Sequence, residues 1–126
     1  MLNVGYMEFF YGETIPESED LHFINSFLPD DEEVRFFFFG LRDRLAFFTT
    51  KRLIFLYVPM TENPDKISRE LDFIHYDKIS SYSVISSKEY DNEKLEINFP
   101  HIGIIGFNFS NHDGLMKFFE FLSKEI

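Results

Sequence analysis

The 126-residue sequence predicts a mostly β domain of the α+β class, with seven short antiparallel strands closed by one C-terminal helix. Three observations carry this. Between Val34 and Phe109, stretches of aromatic and β-branched residues are separated by Gly, Pro, Asn and Asp at turn spacing. Beyond Ser110 the apolar period lengthens from two residues to about 3.6, the period of a helix. Apolar residues make up 44% of the chain and Cys is absent, so a packed core, rather than disulfides or thiolate metal sites, must hold the fold.

The elements follow in order. Pro16 and Ser18 precede Leu21, Ile24 and Leu28 at helical spacing, and Pro29 stops the pattern, which predicts a short N-terminal helix capped by Ser18. Val34–Phe39 is the first strand, Gly40–Asp43 a tight turn and Arg44–Thr49 the second strand. Thr50–Arg52 turns into the apolar run Leu53–Val58, and Pro59–Lys66 is a loop. Ser68–His75 and Ser80–Lys88 are the fourth and fifth strands. Asp91 and Asn92 supply a turn. Lys94–Phe99 then places Leu95, Ile97 and Phe99 on one face, and Ile102–Phe109 does the same with Ile105, Phe107 and Phe109. In the final helix Leu115, Phe118, Phe119, Leu122 and Ile126 form one apolar stripe, with Ser110 and Asp113, or Asn111, as the cap.

Charge divides the chain unevenly. Residues 1–34 hold nine acids and no Lys or Arg, while residues 35–126 hold 13 acids and 12 bases. This reads as an acidic leader before a nearly neutral body, the nine acids facing outward and keeping the protein soluble; the domain division is an acidic leader with a short helix at 1–28 and the domain at 29–126. The leader has no basic start and Glu8 interrupts its apolar stretch, unlike a secretory signal; no stretch is long enough to span a membrane, and the expected location is cytoplasmic. A net charge of −10 argues against nucleic-acid binding, which is built from Lys and Arg.

Phe36–Tyr57, FFFFGLRDRLAFFTTKRLIFLY, resembles the bacterial pleckstrin-homology (PH) domain family of small single-domain proteins. Arg42-Asp43 and Phe48-Thr49-Thr50-Lys51-Arg52-Leu53-Ile54 match its signature across the first three strands. Asp77–Val84 and Asp91–Ile97 are similar to two further family segments. Residues 1–19 lie outside the resemblance, which implies a PH-like barrel of two bent sheets plugged by the last helix. It also implies no catalysis and a tendency to form ring-like homo-oligomers.

The residues themselves give no site for chemistry. His22, His75, His101 and His112 lack a metal-ligand spacing, and the serines of Ser80–Ser87 lack a nucleophile elbow. Asp30-Asp31 and Glu32-Glu33 lie in a like-charged run without the apolar pocket that raises a catalytic carboxyl. No enzyme, cofactor or metal is expected. Arg42, Arg44, Lys51 and Arg52 are weak anion-site candidates; Asp43 between the arginines and the acidic leader oppose specific phosphoinositide binding. The sequon at Asn108 falls in a predicted strand and is discarded. The 18 Phe carry the functional signal, because Phe36–Phe39 and Leu53–Val58 are apolar on both faces and a barrel has one inside. Either the leader's Leu21, Phe23, Ile24 and Phe27 or another subunit covers the second face. Phe121, lying off the helix stripe, joins Phe37, Phe39 and Leu56 as a candidate interface residue. The sequence thus predicts a non-catalytic interaction or self-assembling module with an unknown protein partner. The alternative is a barrel that binds a small apolar or lipid-like ligand.

Overall fold

The structure, a computed structural model, describes residues 5–41, 43–58, 68–87 and 92–125. Its elements are β1 (Gly5–Gly12), α1 (Glu19–Asn25), β2 (Val34–Gly40), β3 (Arg44–Thr49), β4 (Arg52–Tyr57), β5 (Glu70–His75), β6 (Ser81–Ser87), β7 (Asn92–Phe99), β8 (Gly103–Phe109) and α2 (His112–Glu125). A 3-10 turn, Tyr76–Lys78, joins β5 to β6. The predicted loop Pro59–Lys66 lies outside the described residues, as do Arg42 and Asp91.

All strands belong to one sheet in the order β5-β4-β3-β2-β1-β8-β7-β6. In a flat sheet β3 and β8, three strand spacings apart, would stand about 14 Å from each other. Instead the rings of Phe48 and Phe107 meet at 5.1 Å, so the sheet curls into a barrel around its aromatic side chains. The seven predicted strands are present, Arg44–Thr49 at its predicted bounds and the others within a few residues.

The eighth strand corrects the prediction of seven. β1 comes from the acidic leader and fills the middle of the sheet, antiparallel to β2 and parallel to β8. Its inner residues Met7, Phe9 and Tyr11 alternate with Tyr6, Glu8 and Phe10 on the outer face, and Phe9 is fully buried. Parallel pairing brings Gly103, at φ +134°, against Gly5; a Cβ there would lie 2.5 Å from the Gly5 carbonyl oxygen. Only glycine fits that approach.

Two apolar layers explain the two-faced strands. Inside the barrel, Phe9, Phe38, Phe48, Phe107, Phe109 and Phe118 pack with no more than 1% exposure. On the outside, α1 lays Ile24 across Phe37, Phe47, Ile54 and Leu56, flanked by Leu21 and Leu28. Ser18 caps α1 as predicted, its Oγ accepting the Leu21 N–H at 3.2 Å. Of the two caps considered for α2 it is Asn111, whose Oδ1 accepts the Gly114 N–H at 3.1 Å. The helix then buries Leu115, Phe118 and Leu122 while Phe119 is only half-buried. Asn108, in the discarded sequon, is buried and donates to the Phe9 carbonyl.

Candidate interaction surface

The outer face of the sheet alternates along each strand, so the residues of β1 and β2 that share it are fixed by register. Phe10 pairs with Phe39 and Gly12 with Phe37. α1 shelters the part of this face that runs from β2 to β4, which leaves Phe37 7% and Leu56 1% exposed. Its cover ends before Phe39 (47%) and Phe10 (37%), whose rings lie 6.0 Å apart, and Leu41 in the following turn is 75% exposed. A groove of 490 Å³ runs beside them, with Tyr11, Asn92 and Asn108 in its wall.

Next to this apolar strip, the outer face of β1, β8 and β7 is polar. Lys94 Nζ donates to the Tyr6 hydroxyl at 2.9 Å and stands 3.4 Å from both Glu8 and Glu96. The hydrogen bond to Tyr6 pushes the Lys94 ammonium above its ordinary range, and desolvation pushes the Tyr6 phenol up. This cluster ties β1 to β7 across β8, with Gly106 leaving room for the Tyr6 hydroxyl.

Of the four predicted interface residues, the structure presents Phe39 alone. Phe37 and Leu56 lie beneath α1. Phe121 finds the core that the helix geometry did not suggest, half-buried with its ring 5.1 Å from Phe36 and 6.0 Å from Tyr76. Phe10 was missed because β1 was missed.

The described anion-site candidates, Arg44, Lys51 and Arg52, do not converge. Lys51 pairs with Asp31 at 2.6 Å, and that ammonium holds the Asp31 carboxyl below its ordinary range. Arg52 Nε donates to Glu32 at 3.0 Å, and its guanidinium stacks on Phe73 at 4.7 Å. Arg44 stacks on Tyr57 at 5.1 Å beside a 240 Å³ cleft that Glu70 and Asp72 also line. Glu32 is the more constrained partner: its side chain is 1% exposed and also accepts from the Thr49 hydroxyl. The same corner holds Tyr76, whose hydroxyl donates to the Thr49 and Arg52 carbonyls. Burial, with the nearby Glu125 and Glu32 charges, raises the Tyr76 phenol far above its usual range.

These pairs also revise the picture of the leader. Of the nine acids in residues 1–34, Glu8, Glu19, Asp20, Asp31, Glu32 and Glu33 meet Lys94, Arg69, Lys51, Arg52 and Arg35 rather than all facing outward. Among the described residues no three metal-ligating side chains converge, and no helix is long and apolar enough to cross a membrane.

No family model matches the chain, and no curated protein matches it. A solved structure does: a DUF1696 family protein with a pleckstrin-homology domain from Shewanella loihica PV-4. It superposes with a TM-score of 0.62 at 16% identity, covering 85% of this chain and 90% of that one. The fold is therefore PH-like.

Proposed function

We propose that this domain is a non-catalytic, self-assembling PH-like module acting in the cytoplasm, and that it presents the Phe10–Phe39 strip as its contact surface. One observation carries the reading. After α1 has covered the outer face from β2 to β4, two adjacent aromatic rings and Leu41 still face solvent on a chain that hides most of its other Phe residues. Aromatic anchors of this kind dominate protein contacts. Closed symmetry is the usual result of self-contact, and a ring is the form that the family resemblance implies.

The alternative of an apolar ligand inside the barrel has less to support it, because the interior is filled by the rings of Phe9, Phe38, Phe48, Phe107 and Phe118. The pairing of Lys51 with Asp31 and of Arg52 with Glu32 likewise favours protein over phosphoinositide as the partner.

Size-exclusion chromatography with light scattering tests this. The expected mass at about 100 μM is a multiple of 15.1 kDa, lowered in Phe39→Asp. A wild-type monomer at that concentration overturns the proposal, and an unchanged oligomer in Phe39→Asp removes the strip from it.

A further inference from the structure

We propose that β6 is a second contact surface, at which two copies of this chain pair antiparallel about a two-fold axis at Val84. β6 ends the sheet, and among the described residues no strand lies beside its outer edge. Soluble proteins normally blunt such an edge with charge, proline, a bulge or a very short strand. β6 has none of these. Ser81-Tyr82-Ser83-Val84-Ile85-Ser86-Ser87 is seven residues without charge or proline. It pairs residue for residue with β7, without a bulge, and exposes Val84 (47%) and Ile85 (39%) on opposite faces. The other end of the sheet is protected in the usual way, since β5 carries Glu70, Asp72 and His75, and Arg52 stacks on its Phe73.

Charge selects the occupant. Each copy carries −10, so two copies repel across most approaches. β6 is itself uncharged, and apolar groups of α2 lie beside it: Phe119 lies 6.0 Å from Tyr82, and Met116, one turn before Phe119, is 40% exposed. A second β6 matches this surface without opposing like charges. Antiparallel pairing centred on Val84 sets Val84 against Val84 of the partner subunit, Ser83 against Ile85 and Tyr82 against Ser86. Such a pair occupies the β6 edge of both copies at once and so closes on itself, as an isologous contact does. The inference rests on the self-association proposed above but uses a different surface from Phe39.

Absence of Cys makes the test clean. Val84→Cys, under mild oxidation at low protein concentration, should form a disulfide-linked dimer well above the level of an exposed control, Glu17→Cys. Val84→Lys places two ammonium groups together at the axis and should weaken dimerisation by roughly tenfold or more, with an unchanged circular dichroism spectrum. Cross-linking no greater than in the control, or a wild-type mass in Val84→Lys, overturns the β6 contact. If Phe39→Asp dissociates the protein while Val84→Lys does not, the β6 contact fails and the Phe39 surface stands. If the wild type is monomeric at every concentration, both fail.

Discussion

Phe118→Ala should be the most damaging single truncation in α2. The Phe118 side chain is fully buried and sits among five rings: Phe48 at 4.7 Å, Phe38 at 5.1 Å, Phe36 at 5.2 Å, Phe109 at 5.6 Å and Phe107 at 5.8 Å. Removing a buried Phe costs about 3–5 kcal/mol from transfer and cavity terms together. Rings that meet edge-on add to that, so the upper end of the range is expected here. A domain of this length loses roughly 4 °C of melting temperature per kcal/mol, so the variant should melt about 15–20 °C below the parent. Against a total stability of about 5–15 kcal/mol, this leaves a marginal fold. Phe119→Ala is the control. Phe119 is half-buried, its ring meets Tyr82 at 6.0 Å, and its loss should cost about 1–2 kcal/mol. Urea unfolding of the parent and both variants gives the comparison. Equal losses at 118 and 119 would mean that α2 docks through another face and that Phe118 does not plug the barrel.

Three further outcomes follow from the packing and the polar corner. Ile24→Ala, on the buried face of α1, should cost about 2–5 kcal/mol and increase binding of an apolar dye as Phe37 and Leu56 lose their cover; unchanged dye binding would show that α1 is held by other contacts. Tyr76 has a folded pKa raised above the unfolded value, so its contribution is present below about pH 10 and is lost as pH rises beyond it. Tyr76→Phe should therefore be about 1–3 kcal/mol less stable at pH 7 yet decline less steeply above pH 10, and parallel stability curves would contradict this assignment. Gly103→Ala, with φ at +134° and a carbonyl in the way, should detach the start of β1 and speed amide exchange at residues 6–9; unaltered exchange there would show that β1 does not depend on this approach.

Most of the fold was legible because its signals are local. Turns at Gly40–Asp43 and Thr50–Arg52 and alternation in Leu95–Phe99 and Ile105–Phe109 each occupy a few neighbouring residues, and strands appear there. β1 also alternates, with Tyr6, Glu8 and Phe10 against Met7, Phe9 and Tyr11, yet no hairpin turn announces its partner. It pairs in parallel with β8, almost a hundred residues later, and a parallel partner leaves no local mark in the sequence. The candidate surface was legible to the same degree. That β2 and β4 are apolar on both faces could be read directly, whereas the leader's helix was one of two covers that the sequence left open. Which residues it covers could not, because Phe37 and Phe39 share a face and a residue type and differ only in their distance from Ile24. Phe121 failed in the opposite way. Its angle on the helix places it off the main stripe, but Phe36, on the inner side of β2, reaches out to it.

The acidic segment pairs with cations of the PH-like domain, two of which the sequence offered as anion-site candidates. Alone, residues 35–126 carry nearly balanced charge, with Lys51, Arg52 and Arg69 on or beside strands that face the leader. α1 brings Asp20 to Arg69 at 3.0 Å, and the turn after it brings Asp31 to Lys51 and Glu32 to Arg52. β1 adds Glu8 beside Lys94. Each of these acids occupies a base that a phosphate would need. Among the uncharged places that stay open on the described sheet are the Phe10–Phe39 strip on its outer face and the serine-rich edge of β6. For a chain of net charge −10, those are the places where another protein surface meets the least repulsion.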